Sequence, residues 1–362
     1  TPSGVSQIIE QIGRVVIGVG LAILLLPKGI EYSAGGAALG ATGGGIMGII
    51  YLYSKYKKVK REMWNKKVAI NTNILSEILR IALPISIGAT VGTIMSLIDS
   101  ILVPQKLLLA GMASSEATIL YAQLSGKAHV IINIPLTLSM ALGTSLIPII
   151  AENYITRRKR NLEDKIQMSL KLSFLIALPT TLGLFFLSEP IMKVIFPGKF
   201  EGFMILKYLS LSIPFIIMTQ TTTSVMQGVG HYIRPIINLF IGCIVKIILT
   251  YILVPLPNFN IYGAVIASIA AYIIATVLNL ISLKIKLRTK FNLKETFIKP
   301  LIASVLMIIG VLITFSYLKN ILTSNTISCL ASILFGIILY VILIIVLRIF
   351  TLEDIKSKMS RG

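Results

Sequence analysis

The stretch TYILVPLPNFNIYGAVIASIA, Thr250 to Ala270, decides the fold. An aliphatic run ends at Pro255, a short polar turn follows, and the pair Gly263-Ala264 opens a second run of small and aliphatic residues. Followed outward, the first run begins at Pro235 and the second continues to Leu283. Each is about 20 residues long, which a helix rising about 1.5 Å per residue needs to cross the hydrocarbon core of a bilayer. The segment reads as two membrane spans joined by a tight turn.

The same pattern recurs along the chain. About ten spans are expected: Ser6 to Leu26, Ala34 to Tyr53, Leu75 to Val103, Ile119 to Ile150, Ile166 to Ser188, Phe203 to Gly228, Pro235 to Val254, Tyr262 to Leu283, Lys299 to Leu318 and Ile327 to Leu347. The chain has 362 residues, 55% hydrophobic and 13% charged. With a mean hydropathy of +0.89 it is too apolar for a soluble domain of this size. The fold class implied is all-α, a polytopic membrane protein.

A formal charge of +20 would suit a nucleic-acid binder, but its distribution excludes that partner. Lys and Arg cluster in alternate short loops: Lys55, Lys57, Lys58, Lys60, Arg61, Lys66 and Lys67, then Arg157, Arg158, Lys159 and Arg160, then Arg234, then Lys284, Lys286, Arg288, Lys290 and Lys294. Arg348, Lys356, Lys358 and Arg361 follow in the tail. Positively charged short loops stay in the cytoplasm, so both ends of this chain are expected there. These loops set topology and touch the headgroups of anionic membrane lipids, with Trp64 as an interfacial anchor. Cys243 and Cys329 both fall inside apolar runs and read as small core residues, leaving no disulfide framework or spaced metal site.

The opening stretch repeats in LAILLLPKGIEYSAGGAALGA, Leu21 to Ala41, with Pro27 and Gly36-Ala37 in the corresponding places. Many transporters build two lobes from such parallel repeats. If residues 1–53 are the last two helices of an N-terminal lobe, four helices are missing upstream of Thr1. The remaining divisions are then a basic cytoplasmic linker (54–73), a C-terminal six-helix lobe (74–283), a basic loop (284–298), two added lipid-facing helices (299–347) and a cytoplasmic tail (348–362).

Ionisable groups inside spans are functional candidates by default, because each costs at least about 2.5 kcal/mol on insertion scales. Glu10 and Arg14 lie four apart in the order that favours an ion pair, which either serves a site or neutralises itself. Pro84, Gly88, Gly92, Ser96 and Asp99 form a narrow stripe, whose glycines read as close packing. Ser125, His129, Asn133 and Thr137 are spaced by four, with Lys127 beside them; a hydrogen-bond ladder accounts for Asn133 and Thr137, whereas Lys127 and His129 either line a site or snorkel. Gln220, Thr223, Ser224 and Gln227 make an uncharged polar face. Asn238, Gly242, Lys246 and Thr250 are again spaced by four, with Lys246 near mid-span, facing a cavity or paired. The intramembrane set leans cationic, which suits an anionic substrate such as a diphosphate. No Walker loop, paired-aspartate metal motif or His/Cys ligand spacing is present, so transport is favoured over an enzymatic role, and no cofactor is implied.

The segments TPSGVSQIIEQIGRVV at Thr1, ALPISIGATVGTIMSLIDSILVPQKL in the third span, YAQLSGKA and ALGTSLIPIIAE in the fourth, and TTTSVMQGVGHYIRPIIN across the sixth and seventh resemble the stage V sporulation protein B family of polysaccharide exporters. That family shares a superfamily with the MurJ lipid II flippases and the MATE drug exporters. The resemblance implies fourteen helices, of which this chain is the last ten. It also implies a bacterial cell membrane location and outward movement of an undecaprenyl-linked peptidoglycan precursor during cortex synthesis, with the last two helices forming a groove for the lipid tail. Individual substrate contacts do not carry over, since Lys127 is offset from the arginine of the related flippases. A coupling ion, Na⁺ or H⁺, stays open, and cell-wall synthesis enzymes are candidate partners. The rivals are a MATE-like cation-coupled exporter, which would use Glu10 and Asp99, and a non-transporting scaffold acting through the basic loops.

Overall fold

A computed structural model of the chain describes residues 2–63, 73–287, 294–322 and 324–349, and these form helices and turns without strands. Trp64, Lys66, Lys67, Arg288, Lys290 and the tail residues Lys356, Lys358 and Arg361 lie outside them. Among the described residues ten helical segments are long and apolar enough to cross a membrane. The chain divides into two compact units, residues 1–74 and 75–362.

The first unit is a hairpin of α1 (Pro2–Leu25) and α2 (Ile30–Met63), joined by a short turn at Leu26–Lys28 that contains Pro27. Its packing follows from glycine. A Cβ on Gly40 would lie 2.4 Å from Gly18 Cα, and one on Gly44 would lie 2.4 Å from the Glu10 carbonyl oxygen. Backbone therefore meets backbone, which in lipid replaces the hydrophobic drive that water supplies to soluble bundles.

The second unit begins with α3 (Asn73–Leu109). α4 (Ser114–Ala122) runs through a π-helical segment, Gln123–Ala128, into α5 (His129–Ile155). α6 (Lys159–Phe186) is followed by a short α7 (Ser188–Ile195). The expected span at Phe203 to Gly228 is two pieces, α8 (Phe203–Leu209) and α9 (Ile213–Gly228), separated by a tighter turn at Ser210–Ser212 that the sequence pattern did not announce. α10 (Ile233–Leu253) and α11 (Ile261–Leu287) are the hairpin of the deciding stretch. In it a Cβ on Gly263 would lie 2.8 Å from the Leu253 carbonyl carbon, and one on Gly242 would lie 2.7 Å from the Ala271 oxygen. This hairpin thus packs by the same small-residue device as α1 and α2.

The helices α12 (Lys299–Leu322) and α13 (Asn325–Val346) expose many large apolar side chains and also carry a buried polar side. Ile313 and Val346 are exposed, but Ser304, Ser328, Ser332 and Cys329 form a buried stripe. The Tyr340 hydroxyl donates 3.0 Å to the Leu175 carbonyl of α6. The pair is anchored to the bundle through small and hydroxyl side chains that a mean hydropathy hides.

Hydroxyl and amide side chains tie the inner helices together. Asn238 Nδ2 donates to Asn279 Oδ1 at 2.8 Å, and Asn279 Nδ2 donates to Thr222 Oγ1 at 3.1 Å. Thr219 and Thr276 meet at 2.9 Å, and Ser173 and Thr221 at 2.5 Å. The contacts join α6, α9, α10 and α11 where no water is available to compete.

Candidate functional site

The second unit encloses a cavity of about 300 Å³ whose walls come from α3, α4, the π segment, α5, α9, α10 and α11. Its rim carries Ser96 and Asn133, both exposed, and its interior carries Asp99, His129, Lys246 and Tyr272. Asp99 and Lys246 are 6% and 4% exposed. Lys246 Nζ donates to Asp99 Oδ2 at 2.5 Å. The second carboxylate oxygen, Oδ1, is buried with no hydrogen-bond donor among the described residues.

The local sequence explains how these groups meet. Asp99 and Ser96 are the last members of the small-residue stripe on α3, and Gly88 on that stripe sits where a Cβ would lie 3.0 Å from Ile236 of α10. Asp99, one turn beyond Ser96 on α3, meets Lys246 of α10 side chain to side chain. His129 follows the π segment directly, and its backbone N–H donates to the Leu124 carbonyl five residues back. That extra residue per turn changes the register, turning Leu124, Ser125 and His129 to the cavity together. Tyr121, Tyr272 and Ser268 complete the lining and were missed by sequence reasoning, since tyrosine and serine within apolar runs carry no periodic signal.

The other sequence candidates lie elsewhere. Lys127 points away from the cavity: its Nζ donates to the Lys199 carbonyl at 2.5 Å and the Glu201 carbonyl at 3.2 Å, with Phe196 beneath it. It pins the loop 196–202 onto the π segment, where Gly202, at φ +92°, leaves no room for a Cβ beside Gln123. Gln220 and Gln227 of α9 do not line the cavity, and Gln220 Oε1 is buried with no donor among the described residues. Thr223 accepts from Asn279 at 3.3 Å instead. In the first unit, Arg14 Nη2 donates to Glu10 Oε1 at 2.9 Å on the surface of α1. Lys106, near the end of α3, is buried with its ammonium 3.3 Å from the centre of the Tyr251 ring, a cation–π contact the sequence did not suggest.

Long apolar helices around a polar cavity with an ion pair inside define a multi-pass helical membrane protein. The model of the family described as lipid II flippase MurJ matches residues 2–320, and the chain belongs to that family. It is 26% identical over 301 residues to stage V sporulation protein B of Bacillus subtilis (strain 168), covering 81% of this chain and 57% of the relative. It is 24% identical over 298 residues to the lipid II flippase MurJ of the same organism, covering 78% of this chain and 54% of the relative. The chain thus spans somewhat more than half the length of these relatives. A solved structure of lipid II flippase MurJ in an inward closed conformation shares the fold at a TM-score of 0.63 and 20% identity, covering 94% of this chain and 66% of that one.

Proposed function

We propose that this chain is part of a flippase that moves an undecaprenyl-diphosphate-linked oligosaccharide, a lipid II-like precursor, across the bacterial cell membrane for cell-wall or spore-cortex peptidoglycan. The observation that carries the reading is the MurJ family match, which runs through both hairpins and all the cavity-lining helices. The name of the sporulation relative supports a setting in sporulation. The mechanism is alternating access: two lobes rock about the basic segment 54–73 while the prenyl tail stays in lipid along α12 and α13. Both ends of this chain lie in the cytoplasm, following the basic loops.

The polar residues divide by their surroundings. Arg14 is 46% exposed at its side chain and available to headgroup phosphates, with Glu10 as its resting partner. Lys246, Asp99, His129 and the rim residue Asn133 share a cavity that suits water and small ions better than a lipid-linked oligosaccharide. Lys127 holds an outer loop in place, and Gln220 and Gln227 support α9. An inside-negative potential assists outward movement of the anionic headgroup by about 2.3 kcal/mol per elementary charge and 100 mV.

One observation favours the rival exporter of cationic drugs: a buried cavity carboxylate is what proton coupling uses. The test is the whole protein reconstituted in vesicles with lipid II, with headgroup exposure read by an added hydrolase. Flipping above the rate of empty vesicles supports the flippase. Drug-stimulated cation flux without lipid flipping assigns the exporter instead.

A further inference from the structure

We infer that Asp99 and Lys246 form a proton-exchange site in which the lysine is a tethered cation, so that the cavity takes up protons and leaves sodium out. This rests on the flippase reading and names its coupling ion.

The argument begins with the carboxylate. Asp99 Oδ2 already holds an ammonium at 2.5 Å, so the position a metal cation would occupy beside the carboxylate is filled by a group that cannot leave the chain. Sodium binding would require Lys246 to withdraw into an apolar wall formed in part by Met95 and Ile132. A proton has no such competitor, because Asp99 lines the cavity and its Oδ1 is buried with no donor among the described residues. A cavity of this volume holds about ten waters at about 30 Å³ each, and the exposed rim at Ser96 and Asn133 gives them a way in.

The step balances simply. One proton passes from cavity water to Asp99 Oδ1, the carboxylate becomes a carboxylic acid, and Lys246 keeps its three protons. The site goes from a neutral pair to a single positive charge. A buried charge without its partner is costly, so the protonated form favours arrangements that open the cavity to water. Proton occupancy thereby biases the second unit between two packings, which is what a coupling ion must do. The charged and titratable groups facing Asp99 are Lys246 and Cys243 from α10, His129 from α5, Tyr121 from α4 and Tyr272 from α11. His129 is the imidazole among these groups, and it needs its own control.

The experiment is infrared difference spectroscopy of the purified whole protein in lipid nanodiscs, taken between about pH 8 and about pH 3 to span the carboxylate and imidazole ranges, with the Asp99 band resolved from the other carboxyls by subtraction between variants. A protonated-carboxyl band is expected in the unmodified protein, lost in Asp99→Asn, retained in Asp99→Glu and retained in His129→Gln. A band that survives Asp99→Asn overturns the inference. If Asp99→Asn does not fold, radioactive sodium binding decides: the unmodified protein is expected to bind none above background, and Lys246→Gln, which empties the cation position, is expected to gain it. Saturable sodium binding by the unmodified protein that Asp99→Glu or Lys246→Arg alters overturns the proposal. Reconstituted lipid flipping keeps the two readings apart. Flipping that follows a sodium gradient and ignores a proton gradient overturns the proton site and leaves the flippase intact, whereas a proton-linked band in a protein that flips no lipid counts against the flippase.

Discussion

Two of the ion pairs among the described residues, Glu10–Arg14 and Asp99–Lys246, differ in sequence separation and in burial. Glu10 and Arg14 sit one turn apart on α1, with side chains 34% and 46% exposed. Asp99 and Lys246 come from helices 147 residues apart and are 8% and 5% exposed. A same-helix pair forms from local geometry and is worth a few tenths of a kcal/mol, whereas an interhelical buried pair exists only if the bundle is assembled and penalises the loss of either member. The first is an available contact, and the second is part of the packing.

That contrast can be broken most directly at Lys246. Lys246→Ala should lower stability by about 3–5 kcal/mol, because it strands the Asp99 charge, while the shape-matched Asp99→Asn with Lys246→Gln should recover most of the loss. Thermal unfolding of the purified protein reads both. Next in size is Gly44→Leu, which places a side chain where the Glu10 carbonyl lies and should cost about 1–3 kcal/mol by overpacking. The spacing of spin labels at Val19 and Leu39 should widen accordingly. Asn279→Ala should cost about 1 kcal/mol by removing one partner each of Asn238 and Thr222, as seen in the denaturation midpoint. Arg14→Gln should change stability by no more than about 0.5 kcal/mol, since its pair is exposed.

The smallest effect is expected at His231, in the turn between α9 and α10. Burial first, then the charges of Lys286 and Arg234, hold its pKa below the ordinary 6.5. The folded protein therefore binds fewer protons there than the unfolded chain. Its stabilising share is complete above pH 6.5 and is lost as the pH falls through the lowered value. His231→Asn should flatten the acid side of the stability profile by this increment alone.

Spans were legible because twenty apolar residues between basic loops leave few alternatives, and the membership of Asp99, His129 and Lys246 in stripes was legible from spacing by three or four. Their partnership was not, since no local pattern states that residue 99 meets residue 246. The π segment was equally hidden: QLSGKA carries no mark of its extra residue per turn, yet it sends Lys127 outward to the loop 196–202 and His129 inward. The buried serines of α12 and α13 were lost for the opposite reason, being too few to lower an apolar average.

The central proposal is that the whole protein exposes a diphosphate-linked lipid on the outer face of the membrane, with the buried pair coupling the motion and Arg14 meeting the substrate. The most direct measurement is the outward accessibility of the lipid II headgroup in cells carrying the whole protein, at matched protein levels, with Arg14→Gln or with Asp99→Asn plus Lys246→Gln. The account predicts that both variants lower headgroup exposure and that only the second abolishes its response to a proton gradient. Unchanged exposure in both variants, or in cells lacking the protein altogether, would contradict it.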